Sequence, residues 1–100
     1  MRRYRYRRLL TRIQRETQLV QQQPDGPLSE GFRQRRSKSC RELYLLLKPD
    51  GRSAAAAESA FWEALGGTGM QRDEREEMFR VTVEAVEGRE SVYNIADLLN

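Results

Sequence analysis

Proline and glycine divide this chain into four segments, and that division limits its fold more than any other feature. The main breaks fall at 23–27, 49–51 and 66–69, and Gly88 interrupts the fourth segment. Neither residue type continues a regular helix well, so no element can run much beyond roughly twenty residues. The sequence therefore predicts several short elements packed together in a single small domain, residues 1–100.

The first segment has the periodicity of a helix. The apolar or small positions 6, 10, 13, 17 and 20 recur every three or four residues, and arginines occupy the remaining faces. This spacing places one apolar stripe along one side of an amphipathic helix. We predict a helix over about 2–22.

The second segment predicts a second helix, over about 28–48. Pro27 or Leu28 can open it, because a missing N–H costs nothing in a first helical turn. Its apolar stripe comprises Leu28, Phe32, Cys40, Leu43 and Leu47. Pro49–Gly51 is expected to end it. The run 42–47 also fits a buried strand, although no partner strand precedes it.

The last two segments predict shorter helices. Ser53 is a suitable N-cap for a run of four alanines, and Phe61, Trp62 and Leu65 continue that helix up to the glycines at 66–69. The acidic residues after Gln71 suit the start of a helix that reaches residue 87, although the alternation over 79–85 also fits a strand. Ser91 is expected to cap a short final helix. The predicted fold is all-α: an antiparallel hairpin followed by two or three shorter helices.

Charge is distributed unevenly between the two halves of the chain. Thirteen basic and four acidic residues give residues 1–48 a net charge of +9, whereas five basic and eleven acidic residues give 49–100 a net charge of −6. Sixteen of the eighteen basic residues are arginine, whose planar guanidinium can bind carboxylate or phosphate through two hydrogen bonds. The asymmetry indicates an anionic partner, internal charge pairing, or both.

The composition argues against catalysis. The chain has no histidine and one cysteine, which removes the common general base, most zinc sites and any internal disulfide. The glycines at 66–69 lack the lysine of a phosphate-binding loop, and the acids at 73–77 lack the spacing of a calcium loop. We expect no enzymatic activity, no cofactor and no metal. No apolar run is long enough to span a bilayer.

The most informative feature is the arginine-rich start, with seven arginines among residues 2–15 and no acidic residue among them. Such a helix can dock on a protein or an anionic lipid surface, contact the phosphates of RNA, or act as a mitochondrial import signal. We expect the partner-binding residues to be arginines of the first two helices: Arg3, Arg5, Arg7, Arg8, Arg12, Arg15, Arg33, Arg35 and Arg36.

The same segment resembles the LYR family of small mitochondrial proteins. That family opens with Leu-Tyr-Arg, one variable residue and an apolar pair, and a phenylalanine follows some 25 residues later. Here Tyr6-Arg7 precedes Leu9-Leu10, and Phe32 lies 26 residues beyond Tyr6. The start Arg-Tyr-Arg-Arg is similar to that of divergent members, among them an assembly factor for cytochrome b. Arg5 stands where the family has leucine.

The resemblance implies a non-catalytic accessory or assembly protein on the matrix side of mitochondria. Tyr6, Leu9, Leu10 and Phe32 would pack between the first two helices, while Arg7 and its neighbours would face the partner. The implied partners are respiratory-chain subunits, an assembly intermediate of such a complex, or an acyl-carrier protein. The alternative function is an RNA-binding or ribosome-associated protein whose arginines contact phosphates.

Overall fold

The computed structural model describes residues 2–23, 25–48 and 53–99, and every regular element in these ranges is a helix. In chain order they are α1 (Arg2–Gln22), α2 (Pro27–Leu47), α3 (Ala54–Leu65), α4 (Arg72–Glu87) and the single-turn α5 (Ile95–Leu98). The all-α prediction is confirmed, and the first two helices begin and end within one residue of the predicted bounds. Residues 42–47 and 79–85 are helical, so the strand alternatives are wrong.

Local sequence accounts for most helix ends. Gly26 has φ 121°, a conformation that suits glycine, and it directly precedes Pro27 at the first position of α2. The Ser53 side chain accepts a hydrogen bond from the Ala56 N–H at 3.1 Å, as predicted for an N-cap. Gly88 ends α4 with φ 72°. The predicted end signal at 49–51 lies outside the described residues.

The core is formed by the inward faces of α1 to α4. Its centre is aromatic: Phe61 lies 5.3 Å from Tyr44 and 6.0 Å from Phe79, and Trp62 lies 5.5 Å from Phe79, measured between ring centroids. Ile13 of α1 is also fully buried in this cluster. Burial of such side chains supplies most of the stability of a small domain. The apolar stripe of α1 is thereby turned inward, which leaves its arginine-rich side in solvent.

Two details of the sequence analysis are wrong. The side chain that caps α5 is Asn94, which accepts from the Asp97 N–H at 3.1 Å, whereas Ser91 donates its hydroxyl to Glu58. Leu28 is 62% exposed, although we placed it on the buried stripe of α2. It lies in the first turn of α2, which extends beyond the aromatic core.

Candidate docking face

The exposed side of α1 is covered with arginine because its apolar residues face the core. Leu9, Ile13 and Val20 are buried on one side, and the arginines occupy an arc of about 200° on the other at 3.6 residues per turn. Arg3, Arg5, Arg7, Arg8 and Arg15 are all exposed. None of them has an acidic partner among the residues that the structure describes. The periodicity that builds the helix thus also builds a surface with uncompensated positive charge.

Five arginines line an open groove of ≈ 620 Å³ along the first half of α1. Tyr4 lies at one end of it, 66% exposed, with the Arg8 guanidinium 5.5 Å from its ring centroid. Glu42 of α2 contributes the groove's acidic side chain. The arginines in the groove are Arg5, Arg7, Arg8, Arg12 and Arg15.

Arg12 connects this groove to the second helix. Its Nε donates to Ser39 at 3.0 Å, and its Nη2 forms an ion pair with Glu42. The Ser39 hydroxyl in turn donates to the carbonyl of Arg35, an exposed residue one turn earlier. Arg35 is itself exposed and has no acidic partner among the described residues, so uncompensated positive charge is present on α2 as well as on α1. We name the five such arginines of α1 together with Arg35 the basic face, and it comprises Arg3, Arg5, Arg7, Arg8, Arg15 and Arg35. Arg41 of α2 is also exposed and without an acidic partner among the described residues, but it lies about 120° from Arg35 around the helix and is not part of this face.

Arg36 does not belong to the basic face, although we predicted that it binds a partner. Its side chain is 5% exposed, and its Nη1 donates to the Glu74 carboxylate at 3.0 Å. It lies on the side of α2 that packs against α4, so its guanidinium joins two helices. Arg33 is half-buried and donates to the Ser29 hydroxyl. Arg12 is exposed but engaged with Glu42.

The residues that carry the LYR resemblance differ in how deeply they are buried. Leu9 is buried, and Tyr6 and Leu10 are partly buried against the core. Phe32 is partly buried, outside the main core cluster. Both aromatic residues lie in the second turn of their helices, Tyr6 in α1 and Phe32 in α2.

Sequence reasoning missed the contacts of two charged residues, the fully buried Glu58 and the half-buried Arg75. Glu58 of α3 is fully buried and accepts hydrogen bonds from the Val92 N–H at 3.0 Å, from Arg89 at 3.2 Å and from Ser91, which attaches the C-terminal segment to α3. The Arg75 guanidinium carbon lies 3.8 Å from the Trp62 ring centroid. Each of these residues contacts a partner at least thirteen positions away, so helical periodicity gives no sign of either contact.

Cys40 is fully buried in the core, in agreement with its place on the apolar stripe of α2, and burial raises the pKa of its thiol to about 12. A thiol in such a site is a poor nucleophile near neutral pH. Within the described ranges, no group of three acidic, cysteine or histidine side chains is placed to hold a metal ion.

Comparison with known proteins identifies no relative: no family model, no curated protein and no solved structure matches the chain. The LYR resemblance therefore stays a prediction from the residues that carry it. Among the described helices, none combines the length and the apolar character needed to cross a bilayer. What the structure adds is a class: a small all-α protein with an exposed basic face on its first two helices.

Proposed function

We propose that this chain is a non-catalytic accessory or assembly protein that docks on a larger protein complex through the basic face. The LYR resemblance places that complex on the matrix side of mitochondria. It is then a respiratory complex or an intermediate in its assembly, with an acyl-carrier protein as a further partner that the resemblance implies.

One observation carries the proposal: the six arginines of the basic face are exposed and have no acidic partner among the described residues. The chain's described acidic residues do not compensate the basic face. Glu74 pairs with Arg36 of α2, and Glu87 pairs with Lys48 directly after α2. Glu77 pairs with its neighbour Arg80, and Glu42, beside the groove, pairs with Arg12. The clustered arginines repel one another, and no ion pair among the described residues offsets that repulsion. A partner with a negatively charged surface would be attracted to this cluster and would offset the repulsion among the arginines.

RNA binding is the alternative that the same arginines allow. Nonspecific binding of single strands commonly combines basic residues with several aromatic rings on which bases stack. Among the described residues, Tyr4 is the strongly exposed ring beside the basic face, since Tyr6 packs against the core. This composition favours a protein partner over RNA.

The experiment compares two double variants with the same change in charge. Arg5→Gln/Arg35→Gln removes two positions of the basic face, one from each helix, whereas Arg72→Gln/Arg80→Gln removes two exposed arginines of α4. Each is used as tagged bait in native extract, and the co-purifying chains are quantified by mass spectrometry. We expect the first variant to lose the partner and the second to keep it. Equal recovery by both variants contradicts the proposal, and recovery of RNA in place of protein supports the alternative.

A further inference from the structure

The side of α1 that points furthest from the core forms a stripe of its own. Positions 4, 8, 11 and 15 follow one another at intervals of four, three and four residues, so they lie on one line along the helix. All four residues are exposed. We name Tyr4, Arg8, Thr11 and Arg15 the outer stripe.

Contacts on both flanks show that the outer stripe points outward. On one flank, Arg12 binds Ser39 and Glu42 of α2. On the other flank, the Gln14 side chain donates to the Gly67 carbonyl at 2.7 Å, in the turn that follows α3. The outer stripe lies between these two lines of contact, so none of the helices that the structure describes covers it.

The chemistry of the outer stripe suits phospholipid headgroups better than RNA. The stripe has two guanidiniums, a threonine and one tyrosine, all of which can donate hydrogen bonds to phosphate oxygens. One exposed ring offers RNA little stacking surface. An exposed tyrosine among arginines is, in contrast, a combination typical of the boundary between water and an anionic bilayer.

We propose that the outer stripe binds the phosphate headgroups of an anionic membrane surface, with the guanidiniums of Arg8 and Arg15 on phosphates and Tyr4 at headgroup depth. The stripe has no exposed leucine, phenylalanine or tryptophan, so the contact is adsorption at the surface without deep insertion. This inference goes beyond docking on a protein complex: it assigns Arg8 and Arg15 of the basic face to a membrane surface and leaves Arg5 and Arg35, which the docking experiment tests, to the protein partner. Binding of the protein to such a surface would leave the flank toward α2 free for a protein partner.

The test is co-sedimentation of the full chain with phosphatidylcholine vesicles, alone or with 30 mol% phosphatidylglycerol as the anionic probe. We expect binding to the anionic vesicles only, and at least tenfold weaker binding in high salt because the attraction is electrostatic. Arg8→Gln/Arg15→Gln is expected to weaken binding at least tenfold, whereas the α4 double variant Arg72→Gln/Arg80→Gln is expected to bind within about twofold of the parent. The two double variants have the same net charge, so a difference in their vesicle binding shows that the position of the arginines matters.

The inference is overturned by equal binding to neutral vesicles, by equal losses in the two double variants, or by no binding to either vesicle. A mixed-sequence single-stranded RNA is added to the bound protein at a phosphate concentration well below that of the lipid. If this RNA displaces the protein from anionic vesicles, the stripe is assigned to nucleic acid.

Arg8→Lys/Arg15→Lys keeps both charges and should retain binding. Loss of binding in this variant, with helical content unchanged, would also contradict headgroup adsorption. None of these outcomes depends on the protein complex, so the proposal of docking through Arg5 and Arg35 is tested separately, by the co-purification experiment.

Discussion

Arg36 offers the clearest separation of arginines that stabilise the fold from arginines that face a partner. Its side chain is 5% exposed, and it pairs with Glu74 across the contact between α2 and α4. Breaking a fully buried ion pair on one side costs about 3–5 kcal/mol, because the remaining charge is left without a partner. The Glu74 side chain is 25% exposed, so water replaces part of the lost interaction. We therefore expect Arg36→Met to lower the free energy of unfolding by about 2 kcal/mol.

The assay is urea unfolding followed by the fluorescence of Trp62, the single tryptophan of the chain, which is 3% exposed in the folded protein. For a domain of this size, 2 kcal/mol corresponds to a fall in melting temperature of about 8–16 °C. Adding Glu74→Gln to Arg36→Met should restore part of the loss, since neither residue then leaves a buried charge. A cost below about 0.5 kcal/mol for Arg36→Met would refute the assignment of Arg36 to the interior, because exposed ion pairs contribute that little.

Three further outcomes follow from buried groups. Glu58→Ala removes the acceptor that holds the C-terminal segment, so we expect a loss of about 2–4 kcal/mol and faster amide hydrogen exchange in that segment; unchanged exchange would contradict the contact. Because burial raises the pKa of Cys40 to about 12, its alkylation at pH 8 should be slow in the folded protein and fast in urea; equal rates would place the thiol outside the core. Hydrogen bonds from Lys48 and Tyr44 lower the pKa of Glu87 below its ordinary value of 4.5. Its contribution to stability is therefore present above that value and lost as the pH falls through the lower folded pKa, so Glu87→Gln should flatten the acid limb of the stability curve.

The fold class could be predicted from the sequence because helix formation here depends on local signals. The period of α1, the alanines after Ser53 and the glycine that ends α4 each act within a few residues. Such signals fix where a helix begins and ends and which side is apolar. They could not show that Ser91 donates to Glu58 at a distance of 33 residues along the chain. Asn94 accordingly takes the capping position that Ser91 was expected to hold.

The sequence indicates that arginine covers one side of α1, but not which individual arginines of α1 and α2 are exposed and unpaired. Arginine-rich periodicity indicated a basic surface on α1, and exposure of Arg5, Arg8 and Arg15 agrees with it. Arg36 looks the same in the sequence as Arg35, since both lie in one basic run. They differ by 100° around α2, which turns one toward α4 and the other toward solvent. Only the packing of a helix that begins at residue 72 decides which of the two can meet a partner.

Docking through the basic face is the central claim, and a binding curve with the co-purified partner tests it most directly. The dissociation constant would be measured for the parent, for Arg5→Gln/Arg35→Gln and for Arg72→Gln/Arg80→Gln, with the free energy of unfolding of each. We predict that the first variant binds at least tenfold more weakly, about 1.4 kcal/mol, with stability within about 0.5 kcal/mol of the parent. The α4 variant should bind as the parent does. Equal affinity for all three proteins, or equal losses in both variants, would contradict the claim that this face carries the function.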